Sequence, residues 1–203
     1  MDYGPDVLDQ LRAVLERRAP REFSSPAGRS AGVLVPLFLR DGEIHVVLTR
    51  KTDHLRRHSG EVSFPGGGRE PQDATLQHTA LREAFEETAI HPPDVDVLGA
   101  LDDMPTASGA YVMRPYVGVI PYPYELVPEP FEVARILTPP LARFADRGRM
   151  RVDEWEHEGV RYPVYFFEEV DGELVWGATA RVLFGLVELI EGRDPQPIWT
   201  RRA

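Results

Sequence analysis

A run of three glycines followed by a helix bearing three carboxylates constrains this chain more than any other feature. The run is Phe64-Pro65-Gly66-Gly67-Gly68, and the helix-forming stretch is Arg82-Glu83-Ala84-Phe85-Glu86-Glu87-Thr88-Ala89-Ile90. With about 3.6 residues per turn, Glu83, Glu86 and Glu87 fall within roughly one third of the circumference, and Leu81, Ala84, Phe85 and Thr88 point the other way. Like charges on one helix face repel unless something neutralises them, and a divalent cation is the candidate. An all-oxygen donor set favours magnesium, manganese or calcium over zinc. A solvated amphipathic helix with an Arg82–Glu86 pair would show the same pattern, but it needs no glycine run. Pro65 fixes one φ, while the glycines permit positive φ and let the backbone approach a metal or phosphate closely.

Loop and helix together resemble the Nudix box, G-x5-E-x7-R-E-U-x-E-E-x-G-U with U a bulky aliphatic. Gly67, Arg82, Glu83, Glu86, Glu87 and Ile90 match it. The chain departs in three places: the spacing from Gly67 to Arg82 is one residue longer, Asp73 or Ala74 stands for the first glutamate, and Ala89 replaces the last glycine. Upstream, Val47-Leu48-Thr49, Arg56, Gly60 and Phe64-Pro65-Gly66-Gly67 resemble the coenzyme A pyrophosphatase branch, with Lys51 and Thr52 as conservative departures. Leu101-Asp102-Asp103, Thr106, Ser108-Gly109, Pro115 and the run from Trp176 to Arg181 are similar to it too.

The resemblance implies an α/β fold, the Nudix α/β/α sandwich with a mixed β-sheet. It implies Mg2+ or Mn2+ held by Glu83, Glu86 and Glu87 with a carbonyl of Gly67 or Gly66, and Arg82 orienting a glutamate. The branch further implies hydrolysis of the diphosphate of coenzyme A or a derivative, to phosphopantetheine and adenosine 3′,5′-bisphosphate. Arg56, Arg57 and Phe64 fall on the substrate side. Another nucleoside diphosphate derivative such as ADP-ribose is the alternative within the family. A non-catalytic nucleotide-binding module is the alternative of another class, and the intact Glu83, Glu86 and Glu87 argue against it.

At 203 residues the chain suits one domain, 1–203, with an N-terminal helix and connector over 1–30 and the box over 67–90. The absence of cysteine removes disulfides, thiolate zinc sites and cysteine nucleophiles, and is compatible with a reducing cytoplasm. No basic, apolar leader pattern opens the chain, and no apolar run is long enough to span a bilayer. A net charge of -10 disfavours duplex nucleic acid and anionic lipid but does not exclude the small nucleotide partner that the resemblance implies, and it leaves a homodimer open.

Periodicity predicts helices over 6–18, 73–90 and 179–190, and strands over 31–39, 44–50, 95–101, 113–120 and 133–137. A proline-rich loop follows at 121–130, a helical turn at 141–146, and a hairpin over 151–168 turning at Gly159. Asp73 suits a helix cap. Asp102 and Asp103 read as a strand-end turn or as a water-activating pair, and Trp176 and Tyr165 as packing or as a platform for adenine. Glu168 and Glu169 are equal candidates for a general base that the sequence leaves unassigned, and the histidines lack zinc spacing.

Overall fold

The computed structural model describes residues 3–23, 29–55, 58–106, 110–157 and 160–195. The apolar run after Ser30 fills strand β1 (Arg29–Arg40), and its alternation feeds two cores. Val35 and Leu37 join Leu11, Leu15, Val117 and Leu183, while Leu34 and Phe38 join Ala80, Ala84 and Ile120. A strand apolar on both faces belongs in the middle of a sandwich. Asp41 and Gly42 take positive φ, 53° and 84°, as a tight hairpin turn requires, and return the chain into β2 (Glu43–Val46).

The expected strand over 44–50 is broken at Val47, whose N–H donates to the Pro36 carbonyl at 2.9 Å. The chain continues as β3 (Leu48–Lys51) in a second sheet, followed by β4 (Val62–Ser63). The glycine run is itself a strand, β5 (Gly66–Gly68), paired antiparallel with β1 through Gly67–Gly32 and Gly66–Val33. None of its three glycines has positive φ, so the expected flexible loop gives way to a strand.

Helix α1 (Pro5–Arg17) precedes β1, and α2 (Leu76–Thr88) follows β5. Next come β6 (Asp96–Ala100), β7 (Met104–Pro105) and β8 (Tyr111–Val119). The main sheet runs β2-β1-β8-β6, with β5 on β1 and β7 on β8. β1 and β8 are parallel and the remaining pairs antiparallel, so the sheet is mixed. β9 (Val133–Leu137) joins the second sheet as β4-β3-β9. β10 (Met150–His157), β11 (Val160–Val170) and β12 (Glu173–Trp176) form an antiparallel third sheet, of which β12 escaped the sequence reading. The hairpin tip at Gly159 lies outside the described residues.

The closing helix α3 (Gly177–Ile190) packs on α1, β11 and β12, whereas α2 packs on β1 and β5. The two cores on either face of β1 thus each have helical cover, which makes the α/β sandwich expected of the sequence.

Candidate active site

Helix α2 begins later than predicted. Its N-cap is Thr75, whose Oγ1 accepts from the His78 N–H at 3.1 Å, so Asp73 is not the cap. Asp73 has a different task. Buried beneath α2, it accepts from the Glu70 N–H at 2.9 Å, from Thr79 Oγ1 at 3.0 Å and from both Nε and Nη2 of Arg82 at 3.1 Å. This fork holds the Asp73 carboxyl far below its usual range and Arg82 above its own, chiefly through their mutual hydrogen bonds. Arg82 Nη2 also lies 2.9 Å from Glu83 Oε1 and donates to the Gly68 carbonyl at 3.3 Å, and Nη1 donates to Glu86 Oε2 at 3.0 Å. Arg82 therefore ties the glycine strand to two box glutamates.

The three box carboxylates occupy graded depths. The Glu86 side chain is 54% exposed and held by Arg82; that of Glu83 is half-buried; that of Glu87 is only 4% exposed. Glu83 lies against Gly67 so closely that a Cβ there would sit 2.5 Å from its Cδ. The requirement for glycine at this position is room for a carboxylate. Glu87 Oε1 takes Lys51 Nζ at 2.8 Å and the Gly66 N–H at 3.5 Å, while Oε2 is buried with no partner. Burial raises the Glu87 pKa to about 7 against the opposing pull of Lys51, and burial likewise raises Glu83 against Arg82.

Among the described residues no three His, Asp or Glu side chains converge as a ready-made metal cage. What the site offers is a pair, Glu83 and Glu87, beside a glycine strand. An orphaned, buried carboxylate oxygen is costly unless a cation meets it, and a magnesium ion that keeps several waters needs only one or two carboxylates. The residues present fit a divalent cation on those grounds.

The α2 carboxyl end is fixed as well. Ala89, where the box has glycine, adopts φ 59° and ψ 23° and caps the helix in the left-handed conformation glycine would supply. The carbonyls of Glu87 and Thr88 accept from the Glu129 and Val127 N–H groups at 3.0 and 3.1 Å, so the proline-rich loop anchors the helix end.

Several expectations are corrected. Phe85, placed inward by the sequence reading, is 44% exposed and rests against the His91 ring, 4.8 Å between centroids. Phe64, placed on the substrate side, is 4% exposed within the core. Arg56 and Arg57 lie outside the described residues. Asp102 accepts from the Arg18 Nη2 and Arg21 N–H at 2.5 and 2.7 Å, and Asp103 from Arg114 Nε at 2.6 Å, so both serve as struts. Trp176 stacks on Phe166 at 6.1 Å between centroids and Tyr165 meets Phe184 at 4.6 Å, in line with packing. Glu168 is exposed and paired with Arg151, and Glu169 sits at the β11 bulge with φ 55°. Two residues escaped the sequence reading: Lys51, seen only as a departure from a pattern, and Glu132, whose Oε2 lies 3.6 Å from Lys51 Nζ and whose charge bears on Glu83. β3 reads Leu-Thr-Arg-Lys, with no apolar period for Lys51 to break, so that departure is the only signal in the sequence and Glu132 left none.

The NUDIX domain model matches residues 28–120, which span β1 to the end of β8 and hold Glu83, Glu86 and Glu87. The chain is 37% identical over 168 residues to the Nudix hydrolase NudL of Yersinia pestis strain Pestoides F, itself described as uncharacterized, and covers 83% of each protein. The chain belongs to the Nudix hydrolase family. Among solved structures, the NUDIX hydrolase from Alicyclobacillus acidocaldarius superposes with a TM-score of 0.58 at 18% identity, covering 86% of this chain and all of that one. A MutT/nudix family protein from Enterococcus faecalis gives 0.56 at 14% identity, over 91% of this chain and 70% of that one. At those identities the likeness establishes the fold. This Nudix protein is accordingly a pyrophosphohydrolase of a family that uses divalent metal ions, and none of its described helices is long and apolar enough to cross a membrane.

Proposed function

We propose that this Nudix hydrolase cleaves the diphosphate of coenzyme A or a derivative, releasing adenosine 3′,5′-bisphosphate and a phosphopantetheine, with Mg2+ or Mn2+ and in the cytoplasm. One observation carries the reading: the segment that resembles the coenzyme A branch is built into the carboxylate site. Lys51 of that segment pairs with Glu87, and Gly66 and Gly67 line Glu87 and Glu83. The segment that resembles the branch and the box are one structural unit.

Glu83, Glu87 and a carbonyl of Gly66 or Gly67 would hold the metal, with Glu86 at the open edge. A bound divalent ion supplies neutralisation of phosphate charge and a more acidic attacking water. In the metal-free protein the raised pKa lets Glu87 keep a proton near neutrality, and that proton leaves when the carboxylate becomes a ligand. Arg82, locked on Asp73, keeps Glu83 from rotating away. Water adds to one phosphorus, the bridging P–O bond breaks, and two phosphomonoesters depart.

Mass spectrometry of products from coenzyme A, dephospho-coenzyme A and ADP-ribose, with magnesium, with manganese and with neither, tests this. Coenzyme A should be the best substrate and turnover should require a metal. Faster turnover of ADP-ribose would overturn the substrate assignment.

A further inference from the structure

The environment of Glu87 is lopsided. Both donors near its carboxylate, the Lys51 ammonium at 2.8 Å and the Gly66 N–H at 3.5 Å, meet Oε1, and Oε2 meets none. Lys51 is itself confined: its side chain is 11% exposed, its N–H donates to the Glu61 carbonyl at 2.9 Å, and Glu132 Oε2 stands 3.6 Å from Nζ on the other side. β3 is pinned on both edges, by β4 and by β9, where Lys51 registers with Val133. The ammonium therefore projects from a rigid strand, not from a loop.

We infer that Lys51 is the positioning residue of the metal site: by holding Glu87 Oε1 it turns Oε2 toward the cation and makes Glu87 a one-oxygen ligand. This rests on Glu87 being a metal ligand. A carboxylate free to rotate could present both oxygens or neither, and its residence in one orientation has to come from a second contact. Lysine is suited to this because its three donors serve Glu87 and Glu132 together. At a pH where Glu87 is ionised in every Lys51 variant, simple electrostatics makes the opposite forecast, since removing a cation beside a metal should then tighten metal binding. The two effects differ in sign and can be told apart.

The test is Mn2+ binding followed by electron paramagnetic resonance, on the full chain without substrate, for wild type, Lys51→Met, Lys51→Arg, Lys51→Gln and Glu87→Gln. Positioning by Lys51 predicts affinity weakened about tenfold or more in Lys51→Met and recovered to within about threefold in Lys51→Arg, the size found for residues that orient metal ligands. The Mn2+ hyperfine line shape should also broaden in Lys51→Met as the ligand set becomes heterogeneous. Unchanged or tighter Mn2+ binding in Lys51→Met overturns the inference. If that variant does not fold, Lys51→Gln takes its place under the same criteria, because its amide ends about one bond short of the Lys51 ammonium and does not reach Glu87 Oε1. Glu87→Gln separates the two levels of the argument: unaltered Mn2+ affinity there overturns Glu87 as a ligand, whereas a loss there beside an unaffected Lys51→Met removes Lys51 alone.

Discussion

Helices α2 and α3 are nearly equal in length, 13 and 14 residues, yet α2 buries small side chains and a glutamate where α3 buries mostly large aliphatic ones. α3 turns Leu183, Leu186, Val187 and Leu189 inward, as its apolar spacing predicts. α2 buries Thr79, Ala80, Ala84, Glu87 and Thr88 and leaves its one aromatic, Phe85, half in solvent. The difference lies in what each helix packs against. α2 sits over Gly32, where even a Cβ would stand 2.2 Å from the Leu76 carbonyl oxygen and 2.8 Å from the Ala80 N. So close an approach admits only small residues beneath the helix, and it brings Glu83 and Glu87 within reach of the glycine strand. The wider interface around α3 takes whole leucines. The helix that carries the carboxylates is also the less apolar of the two, so its seat on the sheet depends on close backbone approach more than on large apolar side chains.

The largest effect should come from the brace beneath α2. Asp73→Ala removes the partner of a guanidinium held on several sides, and should cost on the order of 4 kcal/mol in chemical denaturation. Acidification should mimic part of it, because the depressed Asp73 pKa contributes stability present above about pH 4 and lost as pH falls below it. A loss under about 1 kcal/mol would show that the approach of α2 does not depend on the fork.

Gly32→Ala should destabilise by about 3 kcal/mol, since backbone atoms of α2 would have to move. Gly185→Ala, in α3 with only Pro195 within 4 Å, should be neutral or stabilising by up to about 1 kcal/mol. Equal denaturation midpoints for the two variants would break the comparison between the helices.

Glu83→Gln and Glu87→Gln should each lower kcat by about a hundredfold, a change of roughly 2.7 kcal/mol in the barrier, while the fold persists. The pH dependence of the metal-free protein sharpens this. Folding raises the Glu87 pKa from 4.5 to about 7, so the contribution of its protonated form is intact below 4.5 and is lost as pH rises toward 7. Melting temperature should accordingly decline across that window in wild type and flatten in Glu87→Gln. Metal affinity should rise over the same interval. An identical slope in the variant would refute the assignment of the buried proton to Glu87.

The smallest effects lie on the exposed rim of α2. Phe85→Ala should cost less than about 1 kcal/mol, against about 3 for Leu183→Ala in the core of α3. Ala89→Gly should instead stabilise by about 1 kcal/mol, by relieving a left-handed alanine. A Phe85→Ala loss as large as that of Leu183→Ala would return Phe85 to the core.

Much of this was legible in the sequence, and for definite reasons. β1 and α3 are written as apolar runs whose period matches their element, and the Asp41-Gly42 turn carries its own dihedral preference. The glutamates and Arg82 were legible because 3.6-residue geometry brings them onto one surface wherever the helix sits. Tertiary structure alone decided which of those glutamates is buried, since depth depends on the strand the helix meets. It also decided that the glycines form a strand opposite Gly32, that Phe85 faces solvent, and that Asp73 lies under Arg82 nine residues away. Lys51 and Glu132 meet only because β3 and β9 pair across some eighty residues of chain, and local periodicity holds no record of such a contact. Sequence determined the chemistry carried by each residue; the approach of one backbone to another, set by the absence of side chains at Gly32 and Gly67, decided where that chemistry converges.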